Sequence, residues 1–393
     1  MELDYRTVDA DNHYYETRDA FTRYIDPQYA SRTLRVEKDS EGTDHIIVDG
    51  QPYLFSEPKF DKTNAPGSLL ANLRDPERKK YASSFEANSM LPAFQDRDKR
   101  LELMDEQGVE AAILLPSLAV CVERPIRNDP ALTDGVIRAF NRWLEDDWGY
   151  AYQGRIYAVP LMSLLDVELA CRELIRVLDR GARMVHLSAG PVAGRSPADP
   201  HFDPFWSIVN EARIPVVFHI GDAGYNELFG AAWGENPTPR VREMSAFQWA
   251  FLHGDLPLMQ TLGSLVYYNL FGRFPNVRVV SIENGSDWVS YLLTHLDKKK
   301  GMGRQGPWPG GYFHGRPSEI LKQHLYLTPY PEDDLLPLVE MMGTEHVLFG
   351  SDYPHPEGLA EPNAFVDLLD GLDQPSVRRI MSTNCLELLG ATA

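Results

Sequence analysis

The feature of this 393-residue chain that most constrains its fold is a series of short apolar runs separated by helix-like stretches. Such alternation is typical of repeated β-α units around a parallel sheet. The eight runs begin at Thr7, Val109, Ile156, Ala182, Pro215, Val277, His324 and Val347. Eight units in a chain of this length predict an α/β fold of the (β/α)8 type, a TIM barrel, with residues 1–393 in a single domain.

Two connecting segments are longer than an ordinary β-α connection needs, and we predict an insertion in each. The first follows the first strand and covers residues 25–95 approximately, including Pro-, Asp- and Lys-containing stretches around residues 59–80. We expect it to hold a small hairpin and helices. The second follows the fifth strand, covers residues 225–274, and has a mostly helical pattern.

The composition of the chain limits its partners and its surroundings. A net charge of −19 argues against a broad surface for nucleic acid or for an anionic membrane. The N-terminus is charged and no segment reaches about 18 apolar residues, so we expect a soluble, cytoplasmic protein. Three widely spaced cysteines predict neither disulfides nor a thiolate metal site. A homo-oligomer is compatible with such a barrel.

Carboxylate and histidine side chains stand at the ends of the predicted strands, where TIM barrels carry their active sites. Asp11 and His13 are two positions apart in the first strand and therefore share a face. His219 ends the fifth strand, Glu283 follows the sixth, and Asp352 follows the eighth. These side chains predict a divalent-metal site built from distant segments.

Glu16, three positions after His13, completes a predicted set of six metal ligands. Taken singly, each residue also has a plain structural explanation. A D-x-H pair arises by chance, His219 suits a core histidine, and Asp352 could bind loop amides. Their joint occurrence on the first, fifth and eighth strands favours the metal site.

The chain resembles the amidohydrolase-related branch of TIM-barrel metalloproteins in four segments: D-x-D-x-H-x-x-E, F-H-I-G, E-N-G and G-S-D-Y-P-H-P-E-G. The resemblance covers nearly the whole chain. It implies metal ligands at Asp11, His13, His219 and Asp352. It also implies zinc or manganese, an activated water, and either hydrolysis of amides and esters or decarboxylation of aromatic acids.

Two positions depart from that family pattern. Glu283 stands where members commonly have a histidine, and His186 stands where a lysine would form a carbamate bridge. With Glu16 counted, the site would hold four carboxylates and two histidines, the ligand set of carboxylate-bridged diiron proteins. Four carboxylates neutralise two divalent ions, which weakens their action on bound water and suits iron.

On these grounds the chain is also similar to the TIM-barrel nonheme diiron monooxygenases of platensimycin and platencin biosynthesis. That resemblance implies two iron ions, O₂ and an electron donor or reductase. It implies hydroxylation of an unactivated C–H bond in a bulky, diterpenoid-like acyl group carried as a coenzyme A thioester, in antibiotic biosynthesis. The alternative is a mononuclear zinc or manganese hydrolase or decarboxylase, with Asp352 as general base or ligand.

Further side chains receive roles around this site. His355 and His186 are expected to orient ligands or to move protons. A cationic cluster expected to receive the coenzyme A phosphates consists of Lys298, Lys299, Lys300 and Arg304. A helix end would also favour lysines through the helix dipole. Trp249 and Tyr267 are expected to line an apolar acyl pocket, unless they pack a helical pair against the barrel.

Overall fold

The computed structural model describes residues 3–56, 59–69 and 87–391. Its strands, β1 to β13, are Thr7–Tyr14, Arg35–Lys38, Asp44–Val48, Gln51–Pro52, Lys62–Asn64, Ala87–Ser89, Val109–Pro116, Ile156–Ala158, Leu161–Met162, Val185–Leu187, Pro215–His219, Arg278–Ile282 and Leu325–Leu327. Its α-helices, α1 to α14, are Arg97–Gln107, Glu123–Ile126, Pro130–Asp147, Val167–Asp179, Asp203–Ala212, Tyr225–Leu228, Ala246–Phe251, Asp255–Tyr267, Leu270–Arg273, Trp288–Met302, Pro317–His324, Leu335–Met342, Gln374–Arg378 and Asn384–Leu389.

Parallel strands form the barrel. One sheet has the order β1-β7-β8 and a second has the order β13-β12-β11-β10-β9. The third barrel strand is interrupted between β8 and β9, and Val159 N–H bridges the interruption by donating to Leu114 O at 3.0 Å. Residues 347–349 close the ring, because Leu348 N–H donates to Leu327 O at 2.9 Å and Ala10 N–H donates to Phe349 O at 2.8 Å. The predicted TIM barrel is confirmed.

Alternation along the strands separates two apolar layers. In β7, Ala111, Ile113 and Leu115 belong to the cluster that fills the barrel. Ala112 and Leu114 belong to the larger cluster between the strands and the surrounding helices. Burial of each Leu or Ile side chain contributes roughly 1.5–3 kcal/mol, and this double layer holds the strand ends in fixed positions. Rigid strand ends are what a multi-strand site requires.

The segments that leave the barrel lie at its two long connections. Between β1 and β7, strands β2, β3 and β4 form an antiparallel sheet, and β5 pairs with β6. After β11 the chain forms the short helices α6 to α9. The boundaries of both insertions stay predictions, and residues 57–58 and 70–86 of the first insertion lie outside the described ranges. Within those ranges, no helix combines the length and apolar character needed to cross a bilayer.

Candidate metal centre

Strand β1 delivers two of the predicted ligands through a local irregularity. Asp9 pairs with Ala112 and Asn12 pairs with Leu114, so β1 carries one residue more than β7 over this stretch. The extra residue is a β-bulge, which redirects the side chains that follow it. Asp11 and His13, at 3% and 0% exposure, are both buried within the barrel.

The remaining ligand candidates come from strand ends. His219 is the last residue of β11, Glu283 directly follows β12, and Asp352 follows the closing segment 347–349. Glu283 and Asp352 both adopt a left-handed backbone with a φ of 54°. That conformation is disfavoured for residues other than glycine, and it persists where the surrounding structure fixes it. Tyr330 supplies one such restraint by donating its hydroxyl hydrogen to Glu283 O at 2.8 Å.

The donor atoms of these residues converge on His13. Asp11, His13, His219 and Glu283 each offer one ligand atom, and these atoms all lie within 4.8 Å of one another. His219 Nε2 lies 2.9 Å from Glu283 Oε2, and His13 Nε2 lies 3.2 Å from Asp11 Oδ1. A second, overlapping group combines His13 and Glu283 with Asp352 and His355. The structure thus brings together five of the six predicted ligands.

The pKa values of the cluster reflect a surplus of negative charge. Burial lowers the pKa of His13, but contacts with Asp11 and Glu283 outweigh burial and raise it to about 9. Burial raises the pKa of Glu283, but the charges of His219 and His13 outweigh burial and hold it well below its usual range. Burial and the charge of Glu283 raise the pKa of Asp352 well above its ordinary value. A cation is the group that would balance these charges.

The side chains themselves fit such a cation. Asp11 Oδ1 is buried and has no hydrogen-bond partner among the described residues. A buried carboxylate oxygen is rarely left in that state, and metal coordination is one way to satisfy it. The combination of imidazole nitrogens with carboxylate oxygens suits manganese, zinc or ferrous iron. The cluster of Asp11, His13, His219 and Glu283 could therefore hold a divalent metal ion.

A chain of hydrogen-bonding groups leads away from Asp352. The Asp352 Oδ1 atom lies 2.7 Å from His355 Nδ1, and His355 Nε2 lies 2.8 Å from the Ser117 hydroxyl oxygen. Ser117 donates in turn to Tyr14 O at 2.7 Å. With the Ser117 hydrogen committed to Tyr14, its oxygen accepts from His355 Nε2–H, and His355 Nδ1 is left to accept from Asp352. This geometry suits an Asp352 that carries a proton.

Asp9 and Arg100 support the centre, and the sequence prediction gave neither a role. Asp9 is fully buried, and its carboxylate accepts hydrogen bonds from the main chain of Asp11 and of Ser351. It therefore ties β1 to the segment that carries Asp352. Arg100 is also buried and donates to His13 O at 2.7 Å. Asp9 had a signal in the D-x-D-x-H motif, whereas the position of Arg100 in a charged helix gave none.

The four candidate ligands Asp11, His13, His219 and Glu283, which we call the metal cluster, lie at the floor of a cavity of about 1000 Å³. Floor residues that line it are His13, His219, Glu283 and His355. Its roof comes from the two long connections, residues 43–56 in the first and residues 240–253 in the second. Such a cavity is large enough for a small organic molecule, and it opens above the candidate metal ligands.

Two predicted site residues lie apart from the cluster. Glu16 accepts hydrogen bonds from Leu118 N–H at 2.9 Å and from Ala119 N–H at 2.8 Å, so its carboxylate anchors the loop after β7. His186 is buried beside His219, and burial lowers its pKa to about 3. His186 belongs to neither group of potential metal ligands, so it is not placed to bind the ion. Because its ring is neutral near neutral pH, it is not suited to act as an acid there.

The predicted coenzyme A and acyl-binding residues also lie away from the cavity lining. Lys300 lies near the end of α10, and its Nζ donates to Phe313 O and Gly315 O. It therefore holds the loop that follows the helix. Lys298, Lys299 and Arg304 share that helix end or follow it. Tyr267 donates to Leu296 O at 2.6 Å, so it packs α8 against α10. Trp249 is 47% exposed and contacts His253 edge-on. The structural alternatives stated for these residues describe their positions.

Comparison with known proteins gives relatives of two kinds. A curated gamma-resorcylate decarboxylase from Polaromonas sp. strain JS666 is 25% identical over 287 residues, which cover 68% of this chain and 79% of the relative. A solved 5-carboxyvanillate decarboxylase from Novosphingobium aromaticivorans, complexed with manganese and a nitrobenzoic acid, is 16% identical with a TM-score of 0.64. The match covers 98% of this chain and 96% of that one, and it shows a shared fold.

These relatives correct the predicted activity. The curated relative is a decarboxylase, so the predicted diiron monooxygenase is wrong. The oxidoreductase role in antibiotic biosynthesis, the acyl-coenzyme A substrate, O₂ and the reductase are wrong with it. Two iron ions are not supported either. The charge argument failed for a physical reason: backbone amides engage Glu16, which leaves three carboxylates around the cluster rather than four.

The family itself is established by near-complete matches. The amidohydrolase family model matches residues 8–391. The crystal structure of an amidohydrolase from Mycobacterium avium subsp. paratuberculosis K-10 is 36% identical, with a TM-score of 0.89 over 99% of this chain and 100% of that one. Both matches include β1 and the segment with Asp352, the two ends of the metal cluster. The chain therefore belongs to the amidohydrolase family.

Proposed function

We propose that this protein is a metal-dependent decarboxylase of aromatic carboxylic acids. The observation that carries the proposal is the metal cluster, with the Asp352–His355 pair beside it, at the floor of a cavity of about 1000 Å³. The decarboxylase relatives support the reaction class. Asp11, His13, His219 and Glu283 are the proposed ligands of one divalent ion, manganese or zinc, and residues 1–393 are proposed to form one catalytic domain.

The bound metal ion would supply positive charge for the carboxylate and neighbouring oxygen of the substrate. The chain itself supplies the proton that the reaction needs. Loss of CO₂ from an aromatic ring requires a proton on the carbon that carried the carboxylate. Asp352 is the proposed donor, because it stands beside the cluster and its contacts suit a protonated carboxyl. As the C–C bond breaks, its electron pair returns to the ring and CO₂ leaves.

His355 would hold Asp352 in position while the carboxylate regains its proton from solvent, because His355 Nδ1 accepts from the carboxyl group and carries no proton to give. It lies 2.7 Å from Asp352 Oδ1 and is itself held by Ser117, so its ring cannot turn away without losing both contacts. The net reaction consumes one proton and an arene carboxylate, and it yields the arene and CO₂.

Hydrolysis is a second candidate reaction, favoured by the 36% identical structure described as an amidohydrolase. In that case Asp352 would take a proton from water instead of giving one to carbon. The two reactions require opposite protonation of Asp352 at the start of the cycle. Product analysis therefore separates them directly.

The test uses the full chain loaded with manganese or zinc and a panel of hydroxybenzoates, hydroxynaphthoates and aromatic amides. We expect release of CO₂ from at least one acid, with no consumption of O₂. The Asp352→Asn variant should bind metal and release CO₂ roughly 10²–10⁴-fold more slowly. Release of carboxylic acid and amine from the amides, without CO₂ from any acid, would replace the decarboxylase with the hydrolase.

A further inference from the structure

Residues of both long connections together form the roof of the cavity. Val241 N–H, from the second connection, donates to Phe55 O, from the first, at 3.3 Å. The resulting cavity of about 1000 Å³ lies at the upper end of the range of about 300–1,000 Å³ that is usual for small-molecule sites. A one-ring benzoate held at the metal cluster would leave much of this space unfilled.

His253 is a polar and buried side chain of the roof. His253 is 8% exposed and lines the cavity. Neither ring nitrogen of His253 has a hydrogen-bond partner in the part of the chain that the structure describes, which covers residues 3–56, 59–69 and 87–391. Its hydrogen-bonding capacity is therefore available to a molecule in the cavity. Buried polar groups usually have such a partner.

Aromatic contacts fix the orientation of this histidine. The Trp249 ring meets the His253 ring edge-on, with centroids 5.1 Å apart and an interplanar angle of 87°. The Phe55 ring lies on another side, with centroids 5.9 Å apart. Burial lowers the pKa of His253 to about 4, so the neutral ring keeps one N–H donor and one acceptor. A fixed neutral imidazole suits a hydroxyl group, which can both donate and accept.

The surfaces next to His253 suit a flat, apolar ring. Tyr53 and Phe55 have ring centroids 6.4 Å apart and both line the cavity. Val120, Ile220 and Val241 are further apolar residues of the cavity lining. Aromatic faces at such spacings stack favourably against further aromatic rings. Around His253 this apolar wall differs from the carboxylates and imidazoles of the floor, and charged side chains such as Arg240 and Glu243 line the cavity beyond it.

We propose that the wall formed by Tyr53, Phe55 and His253 binds the second ring of a two-ring aromatic acid and that His253 hydrogen-bonds a hydroxyl group on that ring. This assignment rests on the proposed function, because it places the carboxylate of the same molecule at the metal cluster. It makes His253 a specificity-determining residue. Under this proposal both connections act in substrate selection, because together they bind the ring farthest from the reacting carbon.

The test measures equilibrium binding by calorimetry, with metal-loaded full chain and four probes: benzoate, 2-naphthoate, 6-hydroxy-2-naphthoate and 7-hydroxy-2-naphthoate. Hydroxyls on the second ring cannot reach the ion that holds the carboxylate. We expect 2-naphthoate to bind more tightly than benzoate. At least one hydroxynaphthoate should bind about five-fold more tightly than 2-naphthoate, the gain expected from one hydrogen bond.

Variants assign that gain to a residue. His253→Phe keeps an aromatic ring and should remove the hydroxyl preference, whereas His253→Gln should retain part of it. His201→Phe, at an exposed histidine outside the cavity, should leave the preference unchanged. Phe55→Leu offers an independent readout and should lower the ratio of naphthoate to benzoate affinity, so the proposal stays testable if His253→Phe does not fold.

Three results would each overturn the proposal: no hydroxyl preference in the parent protein, a hydroxyl preference that survives in His253→Phe, or benzoate binding as tightly as 2-naphthoate. The binding measurements need no turnover. If the expected affinities are found but no acid releases CO₂, the wall stands and the decarboxylase proposal fails. If CO₂ is released from one-ring acids only and naphthoates do not bind, the wall fails and the decarboxylase stands.

Discussion

The floor and the roof of the cavity are built on opposite principles. Floor residues such as His13 and His219 sit on barrel strands, are almost fully buried, and have neighbours that restrain both backbone and side chain. The roof rests on short elements, among them the two-residue strand Gln51–Pro52, and it is joined across the cavity by the Val241–Phe55 hydrogen bond. The difference fits our two proposals, in which the barrel carries the chemistry and the connections carry the choice of substrate.

Removal of a floor histidine should have the largest effect. His13→Ala or His219→Ala deletes a nitrogen donor from the centre of the cluster and leaves Asp11 and Glu283 as unbalanced buried charges. We expect loss of bound metal and activity at background level. Elemental analysis of the purified variants, with His201→Ala as the control, measures the metal. A His13→Ala protein that keeps full metal content and activity would exclude this cluster as the metal centre.

Asp352→Asn should separate metal binding from chemistry. The amide keeps the shape of the side chain but cannot supply the carboxyl proton, so we expect the rate of decarboxylation to fall by roughly 10²–10⁴-fold. Metal content should stay near that of the parent, because Asp11, His13, His219 and Glu283 remain. Single-turnover CO₂ release and metal analysis on the same sample measure both. An unchanged rate would remove Asp352 from the role of proton donor.

Asp9→Asn should weaken the floor without touching its donors. The asparagine oxygen can keep the two main-chain contacts of Oδ1, but the NH₂ group that replaces Oδ2 cannot accept from the Asn12 amide or the Ser351 hydroxyl, so the link between the two ligand-bearing segments is weakened. We expect metal affinity to fall by roughly 10–100-fold, as for other residues that support ligands. The free energy of unfolding should fall by about 1–3 kcal/mol. Metal titration and urea unfolding measure the two effects, with the exposed Asp370→Asn as the matched control.

Ser117→Ala should have a smaller effect on the floor. It removes the group that holds His355 Nε2 and leaves the 2.7 Å contact between His355 and Asp352 in place. We expect a several-fold decrease in the turnover rate with metal content unchanged, because one neutral hydrogen bond is worth about 1 kcal/mol. Steady-state kinetics measures this. A decrease as large as that of Asp352→Asn would contradict this expectation, because Ser117 would then contribute as much to turnover as the proton donor itself.

Val241→Pro should disturb the roof alone and give the smallest effect on chemistry. Val241 is the first residue of a short 3-10 helix and follows an extended Arg240, two conditions that accept proline. Proline removes the N–H that Phe55 O accepts, whereas Val241→Ala keeps it. We expect a few-fold weaker affinity for two-ring acids with an unchanged turnover rate. Calorimetry and kinetics on both variants measure the difference, and a large loss of turnover would contradict the division between floor and roof.

The sequence identified the barrel and most of the floor because both depend on local patterns. Apolar runs fix the strands, and ligand-type residues at strand ends must meet at one end of a parallel barrel. Spacing alone could not place Glu16, since three residues after His13 the chain has already left the strand and reaches the amides of Leu118 and Ala119. That single misplacement supplied the fourth carboxylate on which the diiron interpretation depended.

The lysine cluster at the surface also shows that sequence spacing alone does not reveal what a side chain binds. Lys298, Lys299 and Lys300 form a cationic run whether they bind phosphates or end a helix, and the run itself does not distinguish the two. Only the packing shows that Lys300 binds the carbonyls of Phe313 and Gly315. Arg100 is the converse case. The sequence of its helix does not predict that its guanidinium is buried and donates to His13 O.

The sequence by itself therefore determined the barrel through its periodicity, resembled the family through its motifs, and predicted the histidines and carboxylates of the candidate metal centre through their strand-end positions, because all three are local properties of the chain. The tertiary structure decided which carboxylates reach the cluster, how Asp9 and Arg100 hold it, and where His253 meets Phe55. These contacts join residues far apart in sequence, and their partners are chosen by the path of the backbone in three dimensions rather than by any pattern along it.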